Sequence, residues 1–432
     1  MRLKKTSLIS GKSENLFKDL NFQGKVLIIG AGAAGLFAGY TLQTEGIEFE
    51  ILEASERLGG RLGKIEAFAD YSLDRGAEWL HGKKSIMGEL VKKTKAKIKR
   101  DNSRTHFWFE GQIQKKIARD FLAEMEEDSS LPDISFMEYA KEKGYGDEYA
   151  DIVEQVAGDY GADSSDISAK WTIKEEEAYS AGFKDYKFRE TYFDLVYEHI
   201  AQEVSDKIHL NSWVREIDYS QGQLKVYDAN GKEYLADKII LTVPITVLQE
   251  GDINFIPPLP QDKLDAFRKI GMGAGMKVFL KFKERFYKKY LLGGKICAAY
   301  ADESIGKNGK EHVLMAFIMG QQAAYLSGLQ DDQAVVETLL TELDQIYDGK
   351  ASTSFIEAHI EDWSKHPYIR GAYSYSKVGI GNVRSIAARQ VEEKLFFAGE
   401  AMNLNGHHQT VHGAIETGYL KVLELRDSLL KS

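Results

Sequence analysis

The chain has 432 residues, 43% hydrophobic and 28% charged, which is enough for two domains with cores of their own. A net charge of −10 argues against a nucleic-acid surface and mildly favours cationic ligands, although solubility alone accounts for it. The single cysteine, Cys297, excludes an internal disulfide and fits a reducing compartment, so a cytoplasmic location is expected. No apolar h-region follows Arg2, Lys4 and Lys5, and no apolar run reaches the ~18 residues of a membrane span, so no membrane association is expected. Residues 1–20, broken by Lys12, Glu14, Lys18 and Asp19, read as a loosely ordered arm.

The stretch from Lys25 to Arg61 carries the clearest signal. Lys25–Ile29 is a β-branched apolar run suited to a buried parallel strand, and it ends in Gly30, Gly32 and Gly35, a GxGxxG. Leu36–Thr44 follows as helix, and Phe49–Leu52 is a second strand ending on Glu53. Gly30 allows the tight turn, Gly32 lets a pyrophosphate approach the backbone, and Gly35 lets helix and strand pack closely. The helix N-terminus offers N–H groups to phosphate, and Glu53 is placed for ribose hydroxyls. This is a β-α-β dinucleotide fingerprint. NAD and FAD folds share it, so by itself it does not choose between them.

The string EASERLGGR at 53–61 sets Arg57 and Arg61 beside Gly59 and Gly60; on composition it is a solvated loop, although its arginines suit phosphate. In 71–82, small residues (Gly76, Ala77, Gly82) alternate with Trp79 and His81, so this stretch can pass close under a flat ligand; core packing and a surface histidine are the plainer readings. Residues 83–207 look like a mainly helical insertion, basic over Lys83–Arg100 and acidic over Asp120–Asp128, with helices expected at Ser135–Lys143, Asp147–Tyr160, Ile173–Ala178 and Tyr192–Val204. Their charge runs read as solvated faces. Strands return at Ile208–Leu210, Val214–Tyr219, Leu224–Tyr227 and Lys238–Val243, with Asn230-Gly231 as a hairpin signal and Pro244 as a stop. Gly271–Phe282 is a strand carrying Lys277, which alternation with Lys281 turns toward solvent. Strands are expected at Ile296–Tyr300, Val313–Met319 and Phe355–Ile360, and a helix at Asp332–Ile346. The aromatic stretch Trp363–Tyr375 is core or the wall of a pocket for a flat or cationic group. Leu395–Ala398, Gly399-Glu400, a polar loop and helix Val411–Leu425 form a second strand–acid–helix edge.

GAGAAG at 30–35, EASERLGGR at 53–61, GAEWLHG at 76–82, MKVFL at 276–280, WSKHPYIRGAYSY at 363–375 and AGE with TVHGAIETG at 398–418 stand in the order and spacing of one family. Along nearly its whole length the chain resembles the flavin-containing amine oxidases, which include monoamine oxidases, polyamine oxidases and lysine-specific demethylases. The resemblance implies FAD, an α/β fold with a Rossmann-like FAD-binding domain built from discontinuous segments (1–82, 208–290 and 391–432), and an α+β substrate domain from 83–207 and 291–390. It implies a cofactor wall of Gly30, Gly32, Ala33, Ala34, Gly35, Glu53, Ala54, Arg57, Gly59, Gly60, Arg61, Gly76, Ala77, Glu78, Trp79, Val214, Val243, Trp363, Gly399, Glu400, Thr410, Val411 and Ala414. Glu53 falls to the adenosine ribose, Arg61 to the pyrophosphate, Val214 to the adenine and Glu400 to ribityl or pyrophosphate groups. At the reacting centre it implies Lys277, Tyr373, Thr410 and His81. Lys277 matches the lysine that holds a water near the flavin, which reverses the solvent-facing reading drawn from alternation.

Where the chain departs from the family, the expectation narrows. Tyr373 matches the first tyrosine of the monoamine oxidase cage, but Thr410 stands at the second. Ala372 replaces the cysteine that tethers flavin, so FAD is expected to be noncovalent. No arginine follows Gly76 to hold a carboxylate, which favours an amine over an amino acid, and no long coiled-coil insertion is present, which disfavours chromatin work. The resulting expectation is oxidation of a primary or secondary amine, with polyamines among the candidates, and with dioxygen reoxidising the flavin to give hydrogen peroxide. A flavin desaturase or porphyrinogen-type oxidase, an L-amino-acid oxidase, and a flavin-binding protein without turnover are the alternatives.

Overall fold

The computed structural model describes residues 15–18, 20 and 22–430; most of the arm expected over 1–20 lies outside the described residues. The fold is α/β and rests on a five-stranded parallel sheet in the order Ile208–His209, Phe49–Leu52, Val26–Ile29, Lys238–Leu241, Leu395–Phe397. Val26–Ile29 is buried on both faces, as a parallel strand must be. Val26 and Ile28 pack with helices Ala33–Thr44 and Val411–Leu429. Leu27 and Ile29 face the other way, onto a core shared with the four-stranded sheet of Val214–Asp218, Leu224–Asp228, Glu233–Ala236 and Asn254–Ile256. Gly231, at a φ of 77°, closes the hairpin expected at Asn230-Gly231. The chain leaves Val26–Ile29 toward Phe49–Leu52 on one side and adds Lys238–Leu241 on the other, so a crevice opens at the carboxyl ends of these strands.

A mixed seven-stranded sheet faces that crevice, in the order Phe355–Asp362, Gly275–Phe282, His312–Met319, Ala299–Asp302, Tyr290–Leu292, Thr105–Phe109, Gln112–Gln114. Gly275–Phe282, which falls inside the expected 208–290 segment, pairs within this sheet. Helix Asp332–Ile346 covers one face, with Leu339 and Leu343 fully buried. A helical layer of Phe121–Glu127, Phe136–Glu142, Ala150–Asp159 and Ala169–Ala178 closes the site from the side. Three of these helices begin where polar side chains satisfy free N–H groups, at Asp120, the Ser135–Glu138 capping box and Ser168, while Ala150–Asp159 has no side-chain cap.

Several elements differ from expectation. The segment 83–207 contains strands Ile98–Arg100, Thr105–Phe109, Gln112–Gln114 and Asp185–Phe188 besides its helices. The basic helix ends at Thr94, because Lys95 takes a left-handed conformation and the chain turns into a strand. The helix expected over Tyr192–Val204 runs as short α, π and 3-10 pieces through Lys207. The strand expected over Gly271–Phe282 is two, Ile270–Met272 and Gly275–Phe282, separated at Gly273-Ala274. Among the described residues no helix is long and apolar enough to cross a membrane, and no cluster of His, Cys, Asp and Glu is arranged to hold a metal.

Candidate active site

A single cavity of about 820 Å³ runs from the carboxyl ends of the parallel strands to the seven-stranded sheet, large for a small-molecule or cofactor site. Every expected site residue lines it except Gly35. Gly35 lies one turn into the helix, where an added Cβ would stand 1.9 Å from the carbonyl oxygen of Gly30; its place is packing.

At the nucleotide end, Gly32 is the N-cap of helix Ala33–Thr44 and supplies no side-chain cap, and the first turn holds no acidic residue. The free N–H groups and the positive end of the helix dipole therefore face the cavity uncompensated, as an anion site requires. A Cβ on Gly32 meets nothing within 4 Å. Glu53 closes the strand beside it; its carboxylate accepts from Ala31 N at 2.8 Å, Ser55 N at 2.9 Å and Ser55 Oγ at 2.8 Å, which fixes it at the sheet edge. Trp213 and Val214 line the same end.

The two arginines of the 53–61 string divide their work. Arg57 donates to the carbonyls of Leu58, Gly60 and Leu62, so its guanidinium props the loop that brings Gly59 and Gly60 to the cavity. Arg61 reaches across to Ala372 O at 2.7 Å and Glu400 Oε1 at 3.0 Å. Glu400 also accepts from Ser374 Oγ at 2.7 Å and Gln409 N at 2.9 Å. Burial pushes this carboxyl up, but Arg61, Ser374, Arg384 and Gln409 outweigh it and hold the group below its ordinary value. Arg61 and Glu400 thus tie the 53–61 motif to the last motif at the cavity wall.

At the other end the alternation reading of Lys277 fails. Gly275–Phe282 is buried along its whole length, so neither face meets solvent. Lys277 is 3% exposed and donates to Glu78 Oε2 at 2.5 Å and Asp74 O at 3.3 Å, while Lys281 pairs with Glu311 and Glu357. Tyr373 lines the cavity and donates its hydroxyl to Asp159 O at 3.0 Å. Thr410 is the N-cap of helix Val411–Leu429: its hydroxyl accepts from Gly413 N and donates to His407 O, which leaves it a wall residue with no free proton. Val411 and Ala414 follow on the first turn, and Val243, Trp363 and Gly399 complete the wall between the two ends. His81 stands exposed at the rim, with Nδ1 2.8 Å from Asp185 Oδ1.

The residue that sequence reasoning missed is Asp159, the last residue of helix Ala150–Asp159. Its side chain is exposed, and the space it is exposed to is the cavity. Asp101, Glu175, Glu176 and Asp185 also line this end, and each is met by a hydroxyl or an imidazole: Tyr290, His408, Tyr160 and His81. The Asp159 carboxylate has the Gln155 amide at 2.7 Å and, among the described residues, no hydroxyl, imidazole or cation in contact. Burial pushes its carboxyl up to about 7, only partly offset by Gln155 and the more distant His81. A cationic group entering the cavity would supply the missing counter-charge. In the sequence Asp159 belongs to an ordinary helical charge pattern, and nothing local marks it.

A sequence model of the flavin containing amine oxidoreductases matches residues 33–422. Among curated proteins, Lysine-specific histone demethylase 2 of Homo sapiens is 28% identical over 96% of this chain and 55% of its own length. Polyamine oxidase 2 of Arabidopsis thaliana is 25% identical over 94% of this chain and 89% of its own length. The chain thus spans about half the length of the first demethylases it matches and most of the length of the polyamine oxidases. Among solved structures, a putrescine oxidase bound to putrescine aligns with a TM-score of 0.79 at 18% identity, over 95% of this chain and 100% of that one. A cyclohexylamine oxidase from Brevibacterium oxydans aligns at 0.78 and 18%, over 94% and 99%. These likenesses establish the shared fold.

Proposed function

The chain belongs to the flavin-containing amine oxidoreductases, and on that premise we propose that it holds FAD noncovalently and oxidises a primary or secondary amine bearing a second cationic centre, such as a polyamine, with dioxygen as acceptor and hydrogen peroxide as product. The observation that carries the substrate reading is Asp159, a carboxylate on the wall of the cavity that, among the described residues, is met by the Gln155 amide and by no hydroxyl, imidazole or cation. The polyamine oxidases among the relatives support it. The lone buried Cys297 supports a cytoplasmic setting.

The residues present fit FAD. The uncapped helix end and open Gly32 suit a pyrophosphate, and the fixed Glu53 suits ribose hydroxyls. Ala372 offers no thiol for a covalent tether. When bound, the flavin supplies the two-electron acceptor for amine oxidation.

The chain's own groups then bind, orient and exclude water. The reacting nitrogen has to be neutral to release a hydride equivalent from its α-carbon, while a second nitrogen stays protonated and pairs with Asp159. Tyr373, Tyr160, Trp79 and Phe317 give the aliphatic stem an aromatic wall and keep bulk water out. Lys277 presents its ammonium from the buried strand as a fixed donor for a water. The imine product leaves to hydrolyse. An amino acid is a poor fit: among the described residues the arginines lining the cavity are Arg57 and Arg61, both committed to protein acceptors, so a substrate carboxylate finds no guanidinium.

A peroxide-coupled screen of monoamines, diamines, polyamines and amino acids on purified yellow protein tests this reading. Turnover highest on di- or polyamines, with flavin released by acid, is expected. Absence of flavin, or peroxide from none of the amines, would overturn it.

A further inference from the structure

At and behind the cavity wall lies a set of buried charges of which the reaction above uses only Lys277. Glu78, 1% exposed, places one carboxylate oxygen on each of two lysines: Oε2 is 2.5 Å from Lys277 Nζ and Oε1 is 2.5 Å from Lys187 Nζ. Lys187, 2% exposed, is braced in turn by Glu303 Oε1 at 3.2 Å, and Glu303 is 1% exposed. The four residues come from four separate elements: the strands Trp79–His81 (Glu78 immediately before it), Asp185–Phe188 and Gly275–Phe282, and the turn after Ala299–Asp302. Lys277 and Glu78 line the cavity, while Lys187 and Glu303 do not. Both ammonium groups also lie against the Trp79 ring, 4.9 Å from its centroid for Lys187 and 5.7 Å for Lys277.

We propose that Glu78 is the positioning residue for Lys277, and that Lys187, braced by Glu303, fixes Glu78 in turn, so that Lys277 is presented to the cavity as a held ammonium. The role of Lys277 at the cavity rests on the proposed function; the holding geometry does not. A lysine stem has four rotatable bonds and would otherwise sample much of the cavity. A carboxylate shared between two lysines, one of them anchored from behind, restricts Lys277 to one place. Stability alone does not account for the arrangement, because a buried ion pair is often no more stable than apolar residues of the same volume. The charge states agree with the geometry. Burial pushes Glu78 up, but Lys187 and Lys277 outweigh it and keep it ionised. Burial opposes the charge on Lys187, yet Glu303 and Glu78 hold that amine well above its ordinary value.

The test is a double-mutant cycle on the flavin-loaded protein with Glu78→Gln, Lys277→Met and their combination. It is read by kcat, KM, the visible spectrum and the midpoint potential of the bound flavin. Glu78→Gln is expected to lower kcat on the order of 10²-fold, as a displacement of about 1 Å does. It should leave KM nearly unchanged and should shift both spectrum and potential. Added to Lys277→Met, it should change none of them further. If Glu78→Gln does not fold, Glu78→Gln/Lys187→Met removes an anion and a cation together and must show the same loss. The proposal is overturned if Glu78→Gln matches wild type in kcat, spectrum and potential, if its effect persists in full beside Lys277→Met, or if Lys277→Met changes nothing. A wild-type protein that binds flavin but oxidises no amine would sink the proposed activity instead, and the spectrum and potential would still decide the positioning.

Discussion

Gly32→Ala and Gly35→Ala separate two jobs within the nucleotide fingerprint. At Gly35 the new methyl would stand 1.9 Å from Gly30 O and 2.8 Å from Thr242 Oγ1. Gly30 O cannot retreat freely, because Thr242 Oγ1 already donates to it at 2.9 Å. Opening 1.9 Å to a tolerable 3.0 Å moves the helix off the sheet by about 1.1 Å. Overpacking of this severity costs about 3 kcal/mol or more, with or without cofactor. Gly32 is different. Its φ of −77° and ψ of −179° suit any residue, and its methyl would meet nothing within 4 Å. The cofactor-free protein should therefore stay within about 0.5 kcal/mol of wild type. The methyl occupies the cavity in front of the free helix N–H groups, so FAD affinity should fall on the order of tenfold or more, about 1.4 kcal/mol per decade. Urea unfolding of the deflavinated proteins and fluorescence titration with FAD read the two effects separately. Equal destabilisation of both apoproteins, or wild-type FAD affinity in Gly32→Ala, would refute the reasoning.

Asp159→Asn should reduce kcat/KM for a diamine by on the order of 10–10²-fold and leave a monoamine of equal length nearly unaffected; equal losses on both would remove Asp159 from recognition. Because Asp159 titrates at about 7, the KM of a diamine should fall as pH rises through that value, and Asp159→Asn should flatten this part of the profile. The same shift has a stability sign. The folded carboxyl keeps a proton that the unfolded one releases from about pH 4, so wild-type stability drops between there and about 7. Cofactor-free Asp159→Asn should therefore be more stable than wild type at pH 8, with the gap closing toward pH 4; thermal melts across that range check it. Lys187→Met deprives Glu78 and Glu303 of a shared partner and should cost on the order of 3–5 kcal/mol in urea unfolding; a near-neutral result would mean that the array is not held as described.

The parts legible in the sequence are those whose physics is local. The β-α-β unit announces itself because turn, close approach and helix end are each written in adjacent residues, and helix Asp332–Ile346 matches its apolar period to the residue. Lys277 misleads because alternation assumes a strand with one wet face, and this one has none. The hairpin of Thr105–Phe109 and Gln112–Gln114 hides in a block whose composition is mainly that of helices, although Glu110-Gly111, both at positive φ, turn it. Glu78 carried no mark of its partners, since Lys187 and Lys277 lie more than a hundred positions away and arrive only through the sheets. Asp159 is the harder case. What singles it out is that, among the described residues, neither a hydroxyl, an imidazole nor a cation meets its carboxylate, and a missing neighbour leaves no trace in a string of residues.

The parallel sheet and its helices have a consequence for the order of events during synthesis. Helix Val411–Leu429 packs so closely on Ala33–Thr44 that a Cβ on Gly418 would stand 2.2 Å from Ala34 O, and strand Leu395–Phe397 forms one edge of the sheet. A nascent chain that has delivered its fingerprint to the ribosome exit still lacks Gly399, Glu400 and the far wall. The nucleotide crevice is completed only after the chain through helix Val411–Leu429 has emerged. Flavin capture thus waits on residues 395–429, which act as the latch: what the Val26–Leu52 β-α-β unit begins, strand Leu395–Phe397 and helix Val411–Leu429 seal.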